Sequence, residues 1–180
     1  KDIETVSLAS WGFDAEISSQ NSLIGAANAV VESVAKIVAM GGDYKNIRLS
    51  FQEYFEKLGN NPKKWGKPLA SLLGAYDAQM NFELAAIGGK DSMSGSFQDI
   101  HVPPTLISFA CANGEKKNII SPECKKAGNK LCLFNHISQE NGMPNYGDLK
   151  QIFDFIFENI KAKKIVSVKT IKEGGVAVAL

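Results

Sequence analysis

A chain of 180 residues, 44% hydrophobic and 22% charged, is long enough to bury a sizeable core and too apolar to be disordered. Its 20 Lys and Arg against 19 Asp and Glu leave a formal charge of +1, which implies neither a polyanionic nor a polycationic partner. The basic clusters Lys116-Lys117, Lys125-Lys126 and Lys161 to Lys164 lack interleaved aromatic residues and read as solvated faces, so no nucleic-acid partner is expected.

Apolar and small residues recur at helical spacing from Ser22 to Met40, with a polar start and a stop at Gly41-Gly42, which predicts the first helix. Ile47 to Phe51 alternates as a short strand. Glu53 to Leu58 reads as a helical turn closed by Gly59, and Asn60 to Lys64 as a surface loop. Pro68 suits the first turn of a helix through Leu69, Leu72, Leu73, Tyr76 and Met80, a spacing that predicts a buried stripe. Leu84 to Ile87 is a short buried strand running into a glycine pair, and Leu106 to Cys111 is another, introduced by Pro103-Pro104.

The polar stretch from Asn113 marks a boundary, giving an N-terminal domain over residues 1–113 and a second α/β unit over 114–180. In the second unit Lys130 to Phe134 reads as a strand and Asp148 to Lys163 as a helix, with Asp148 as its N-cap or first-turn acid. Ile165 to Val168 reads as a further strand, so the fold class is α/β (α+β). A start at Lys1 and an apolar finish over Gly174 to Leu180 are expected of a piece of a longer chain.

Three cysteines without metal-ligand spacing or a secretory leader predict a reduced, cytoplasmic protein, with Cys111 and Cys132 as small buried thiols. No apolar run is read as approaching the ~18 residues of a membrane span, so no membrane partner is expected. His101 and His136 stand alone on predicted loops and receive no catalytic role. Trp11 and Trp65, near loop segments, are expected to pack in the core.

Two features could carry chemistry. In Gly88-Gly89-Lys90-Asp91-Ser92-Met93-Ser94, two residues free to take positive φ allow backbone N–H groups to converge on an anion. Lys90 adds charge, Ser92 and Ser94 add hydroxyls, and Asp91 can hold a metal or fix the loop. The spacing is neither that of a P-loop nor that of a dinucleotide fingerprint, and a tight turn with solvated polar residues fits these residues equally well. Glu32 interrupts the first helix with a carboxylate. It pairs either with Lys36, four residues on, or with a metal.

The run Ala86 to Gly95, followed by Val102 to Ala110, resembles phosphoribosylformylglycinamidine synthases, ATP- and glutamine-dependent ligases of purine biosynthesis. Ala29 to Ala39, Ile47 to Leu58 and Gly174 to Ala177 are similar to the same family in the same order. The resemblance implies a PurM-like domain, similar to aminoimidazole ribonucleotide synthetase. The chain would comprise the N-terminal domain of the second such copy and the beginning of its α/β C-terminal domain.

By that resemblance Gly89, Lys90, Asp91, Ser92 and Ser94 line the substrate-phosphate site, and Glu32, Glu173 and Glu4 are metal-site carboxylates beside ATP or ADP with Mg2+. Lys36 stands where some long-form relatives carry an amide ligand, and a lysine there repels magnesium. Lys172-Glu173-Gly174-Gly175 stands for the commoner Ser-Asp-Gly-Gly, and Lys169 stands where the motif often has His. The implied partners are the remaining synthase domains, namely the first copy and a glutaminase, together with a small-molecule substrate. A fragment with an unpaired sheet face is also expected to dimerise through it, and to be inactive alone.

Overall fold

Burial alternates along the strand Thr105–Glu115 (β6), with Leu106, Ser108, Ala110 and Ala112 buried and Phe109, Cys111 and Asn113 exposed, which defines an inner and an outer face of the sheet. In the computed structural model, which describes residues 3–180, β6 lies between Thr5–Gly12 (β1) and Arg48–Tyr54 (β2) and is antiparallel to both. Ala85–Lys90 (β3) pairs parallel to β2, giving the order β1-β6-β2-β3. A parallel pair needs a crossover, and the helix Pro62–Phe82 (α3) supplies it. Between β3 and β6, Ser96–Phe97 (β4) and Ile100–His101 (β5) form a small antiparallel pair.

Ala15–Gln20 (α1) leads into Ser22–Ala39 (α2), whose start is capped by the Asn21 side chain accepting from the N–H groups of Leu23 and Ile24. α2 packs on β1 and β6, and α3 lies along α2. By length and composition α2 is apolar enough to cross a membrane, against the expectation that no run approaches that length. Half of it is buried in this fold, as suits a core helix. The Ser33 and Ser108 hydroxyls, both fully buried, bond across the layers at 2.9 Å, and Ser10 Oγ donates to Ser33 O at 2.6 Å.

Tyr146–Lys161 (α4) is capped by Asn145, whose side chain accepts from the N–H of Asp148, so Asp148 is a first-turn acid rather than the cap. α4 adds Tyr146 and Phe153 to Tyr44 and Phe82 in a cluster of aromatic rings with centroids 5.2 to 6.2 Å apart. Gly175–Ala179 (α5) is short and has no buried residue. The architecture is the mixed α/β class expected, with helices on the inner face and an open outer face that presents Trp11, Ile87 and Phe109.

Several local expectations are corrected. Residues 53–58 form no helical turn: β2 runs on to Tyr54, and Phe55 stays extended because its N–H donates to Ser92 O and its carbonyl accepts from Gly95 N–H. α3 begins at Pro62 rather than Pro68, with Asn61 as N-cap, so the supposed loop carries the helix start and Trp65 lies on the helix. The stripe Leu69, Leu72, Leu73, Tyr76 and Met80 is exposed. The buried face of α3 is instead Ser71, Gly74, Ala75, Ala78 and Phe82, because small residues let it approach α2 closely.

Residues 130–134 and 165–168 form no strand and pair with neither open edge of the sheet, β1 or β3. Cys111 and Cys132 are exposed, Cys111 because it falls on the outer face of β6. Trp11 and Trp65 are also about half exposed rather than core.

Candidate functional site

β3 delivers the glycine loop to the edge of the sheet, after a register shift in its pairing with β2 between Leu49 and Phe51. Gly89 has a steric reason: a Cβ there would stand 2.6 Å from the Phe51 carbonyl oxygen. The loop is strapped to the end of β2 by Ser92 N–H to Glu53 O at 3.0 Å, Phe55 N–H to Ser92 O at 2.8 Å and Gly95 N–H to Phe55 O at 2.9 Å. Ser92 Oγ and Ser94 Oγ lie 2.9 Å apart, and Lys90 Nζ reaches only its neighbour's carbonyl, Asp91 O, at 3.2 Å.

Gly89, Lys90, Asp91 and Ser94 are exposed and Ser92 is half-buried, so all five expected residues are at least partly accessible. Ser92 and Gly95 spend their N–H groups holding the loop, while those of Met93 and Ser94 meet no internal acceptor among the described residues. The loop therefore offers an anion two hydroxyls, an ammonium and free amides on a fixed frame.

Beneath it lies a residue that the sequence reading did not single out. Glu53 faces the inner side opposite Leu106, is 6% exposed, and its Oε1 has no hydrogen-bond partner. Burial, reinforced by the charge of Asp91, pushes its carboxyl up to about 7. The signal was available: once residues 47–54 are read as one strand, the alternation through Leu49 and Phe51 places Glu53 inside. Nearby Glu56, also buried, is held at about 2 by hydrogen bonds from the ammonium groups of Lys64 and Lys67, at 2.7 and 2.5 Å.

Of the three expected metal carboxylates, Glu32 and Glu173 meet at the Lys172 ammonium, and Glu4 lies far from both. Glu32 lies on α2 beside the end of β1: its Oε2 accepts from Phe13 N–H at 3.0 Å and from Lys172 Nζ at 2.8 Å, and its Oε1 from Lys36 Nζ at 2.6 Å. Glu173 turns to Lys172 at 3.6 Å. Glu4 precedes the opposite end of β1, where its carbonyl accepts from Lys116 N–H, roughly 25 Å along the strand from Gly12. Among the described residues no group of three His, Cys, Asp or Glu side chains is placed to hold a metal ion. The carboxylate set therefore does not fit Mg2+, which asks for near-octahedral oxygen ligands at ~2.0–2.1 Å.

Solved structures share this architecture over nearly the whole chain. Thermotoga maritima PurL complexed with FGAR matches with a TM-score of 0.72 at 11% identity, covering 97% of this chain and 30% of that one. The fold is shared with that chain. PurL of the same organism complexed with ATP matches with a TM-score of 0.70 at 12% identity over 97% of this chain and 28% of that one. Phosphoribosylformylglycinamidine synthase II from T. maritima matches at 0.59 and 18% identity, over 67% and 20%.

At these identities the likeness is one of fold, and the chain spans less than a third of the length of the synthase-fold chains it matches. The resemblance read from Ala86 to Ala110 thus agrees with the architecture. No protein-family model and no curated protein matches the sequence.

Proposed function

We propose that this chain supplies half of the substrate-phosphate site of a phosphoribosylformylglycinamidine synthase, with the loop from Gly88 to Ser94 as its contribution. The reaction would activate a formylglycinamide ribonucleotide amide oxygen with ATP and displace phosphate with ammonia. Its physical demand is to hold phosphate-bearing molecules in line against preorganised donors. The observation that carries the reading is the loop itself: the paired Ser92 and Ser94 hydroxyls, exposed Lys90 and two amides without an internal acceptor stand on a backbone pinned to β2.

Residues 1–113 would be the N-terminal unit and 114–180 the start of the next. The open outer face would pair with the other synthase copy, and with a second fragment when that copy is absent. The glutaminase domain, ATP and a cytoplasmic setting belong to the same proposal, and the isolated chain is expected to give no turnover.

The test is an NMR titration of the 180-residue chain with formylglycinamide ribonucleotide. Shifts are expected at Gly88 to Ser94, and Ser92→Ala should weaken binding roughly tenfold, the scale of one hydrogen bond to a charged group. Shifts confined to other surfaces, or a Ser92→Ala titration identical to wild type, would sink the reading.

A further inference from the structure

Glu32 is the position where the synthase reading expects a cation, and the cation is already there as protein. Lys36 Nζ donates to Glu32 Oε1 at 2.6 Å and to Trp11 O at 2.8 Å, and it stands 4.3 Å from the centroid of the Trp11 ring. From the other side Lys172 Nζ donates to Glu32 Oε2 at 2.8 Å and to the carbonyl of Phe13, and it lies 5.8 Å from the Trp11 ring. Phe13 N–H takes a further position on Oε2 at 3.0 Å.

Each ammonium thus has a carboxylate, a backbone carbonyl and an aromatic face, so neither swings aside without losing all three. The carboxylate is only 15% exposed and both its oxygens are engaged. A divalent ion at Glu32 would have to displace two monovalent charges held at hydrogen-bond distance, and the neighbouring carboxylate, Glu173, is itself turned to one of them, Lys172, at 3.6 Å.

We propose that Lys36 and Lys172 take the place of the divalent cation at Glu32, making this a metal-free cross-link between α2 and the segment before α5 that accepts no magnesium nucleotide. The proposal rests on the synthase reading only for the expectation that a metal belongs at Glu32. The geometry stands without it. The consequence is structural: Lys172 and Glu32 are 140 residues apart in the chain, and their pairing fastens the last segment of the chain to its first strand and α2. Where a nucleotide-bound metal would make such a joint depend on ligand, two lysines make it permanent.

Two measurements test this on the whole 180-residue chain. Titration with Mn2+ followed by electron paramagnetic resonance, and with Mg·ADP followed by calorimetry, should show no saturable binding in the wild type. In Lys172→Met, which keeps the arm and removes the charge, amides of residues 170–180 should exchange roughly tenfold faster, the loss of one charged hydrogen bond. Exchange at Gly88 to Ser94 should stay unchanged. Saturable Mn2+ or Mg·ADP binding that disappears in Glu32→Gln would overturn the proposal, as would unaltered exchange over 170–180 in Lys172→Met.

Should Lys172→Met not fold, the wild-type titrations decide alone, and the same exchange comparison in wild type at low and 1 M salt replaces the variant, since ~3 Å screening at 1 M weakens an ion pair. Failure of the Ser92→Ala titration would remove the substrate reading and leave this cross-link standing. Metal binding at Glu32 would remove the cross-link and leave the loop.

Discussion

Glu53→Gln is expected to abolish a fall in stability that the wild-type protein shows between about pH 4.5 and pH 7. The folded carboxyl titrates at about 7 because it is buried and close to Asp91, whereas in the unfolded chain it titrates near the ordinary value of ~4.3. Across that window the unfolded state releases a proton that the folded state keeps. The unfolded state therefore binds fewer protons, and stability declines as pH rises. Above about pH 8 both states are ionised and the loss is complete.

The full size follows from the difference of more than two pH units, about 3 kcal/mol. Because Glu53 is 6% exposed, solvent screening removes little of it. Urea midpoints of wild type and Glu53→Gln at pH 5, 6, 7 and 8 supply the check. The stability of the variant relative to wild type should rise by about 2.5 kcal/mol from pH 5 to pH 8, the remainder of the effect falling below pH 5, even though the buried amide adds a constant cost of its own.

His136, whose pKa burial lowers, gives stability a slope of the opposite sign near its ordinary value, but it is common to both proteins and cancels in the difference. Glu56 loses its ion pairs only well below pH 4.5 and lies outside the window. A relative stability that stays flat from pH 5 to 8 would mean that Glu53 is ionised or solvated in the folded protein.

What the residues disclosed, and what they hid, divides along local against non-local causes. α2 is legible because its cap, its run of small and apolar residues and its glycine stop are all within one segment. The glycine loop is legible for the same reason, since backbone freedom and hydroxyl donors are adjacent in the chain. Glu53 was missed because the mixed polar and apolar residues 53–58, closed by Gly59, scan as a helical turn, and only the antiparallel partner β6 shows that the strand continues. The Lys172 contact was invisible because it joins residues 140 apart, so Lys36 alone was weighed against a metal at Glu32. The two missing C-terminal strands follow the same rule: their apolar composition is local, while strand formation needs a second edge.

The face of α3 is the sharpest case, because propensity and packing assign opposite signs to one substitution. Gly74→Ala should stabilise the helix by about 1 kcal/mol if only helix propensity counts. In the fold, a Cβ at Gly74 would lie 2.0 Å from the carbonyl oxygen of Leu23, a backbone atom of α2 that cannot rotate away. Relief requires α3 to retreat from α2 along a face built of Ser71, Ala75 and Ala78, which loosens the packing of Phe82 against Tyr44, Tyr146 and Phe153 at its far end.

Overpacking of this kind costs roughly 1–3 kcal/mol, and a backbone contact this short belongs at the upper end, so Gly74→Ala is expected to destabilise by about 2 kcal/mol once its propensity gain is subtracted. Gly66, in the same helix, has no heavy atom within 4 Å of the corresponding Cβ position, and Gly66→Ala is expected to stabilise by up to ~1 kcal/mol. Thermal unfolding of the two variants side by side separates the effects. Equal shifts would show that α3 stands off from α2 and that its exposed leucines, not its small residues, make the helix contact.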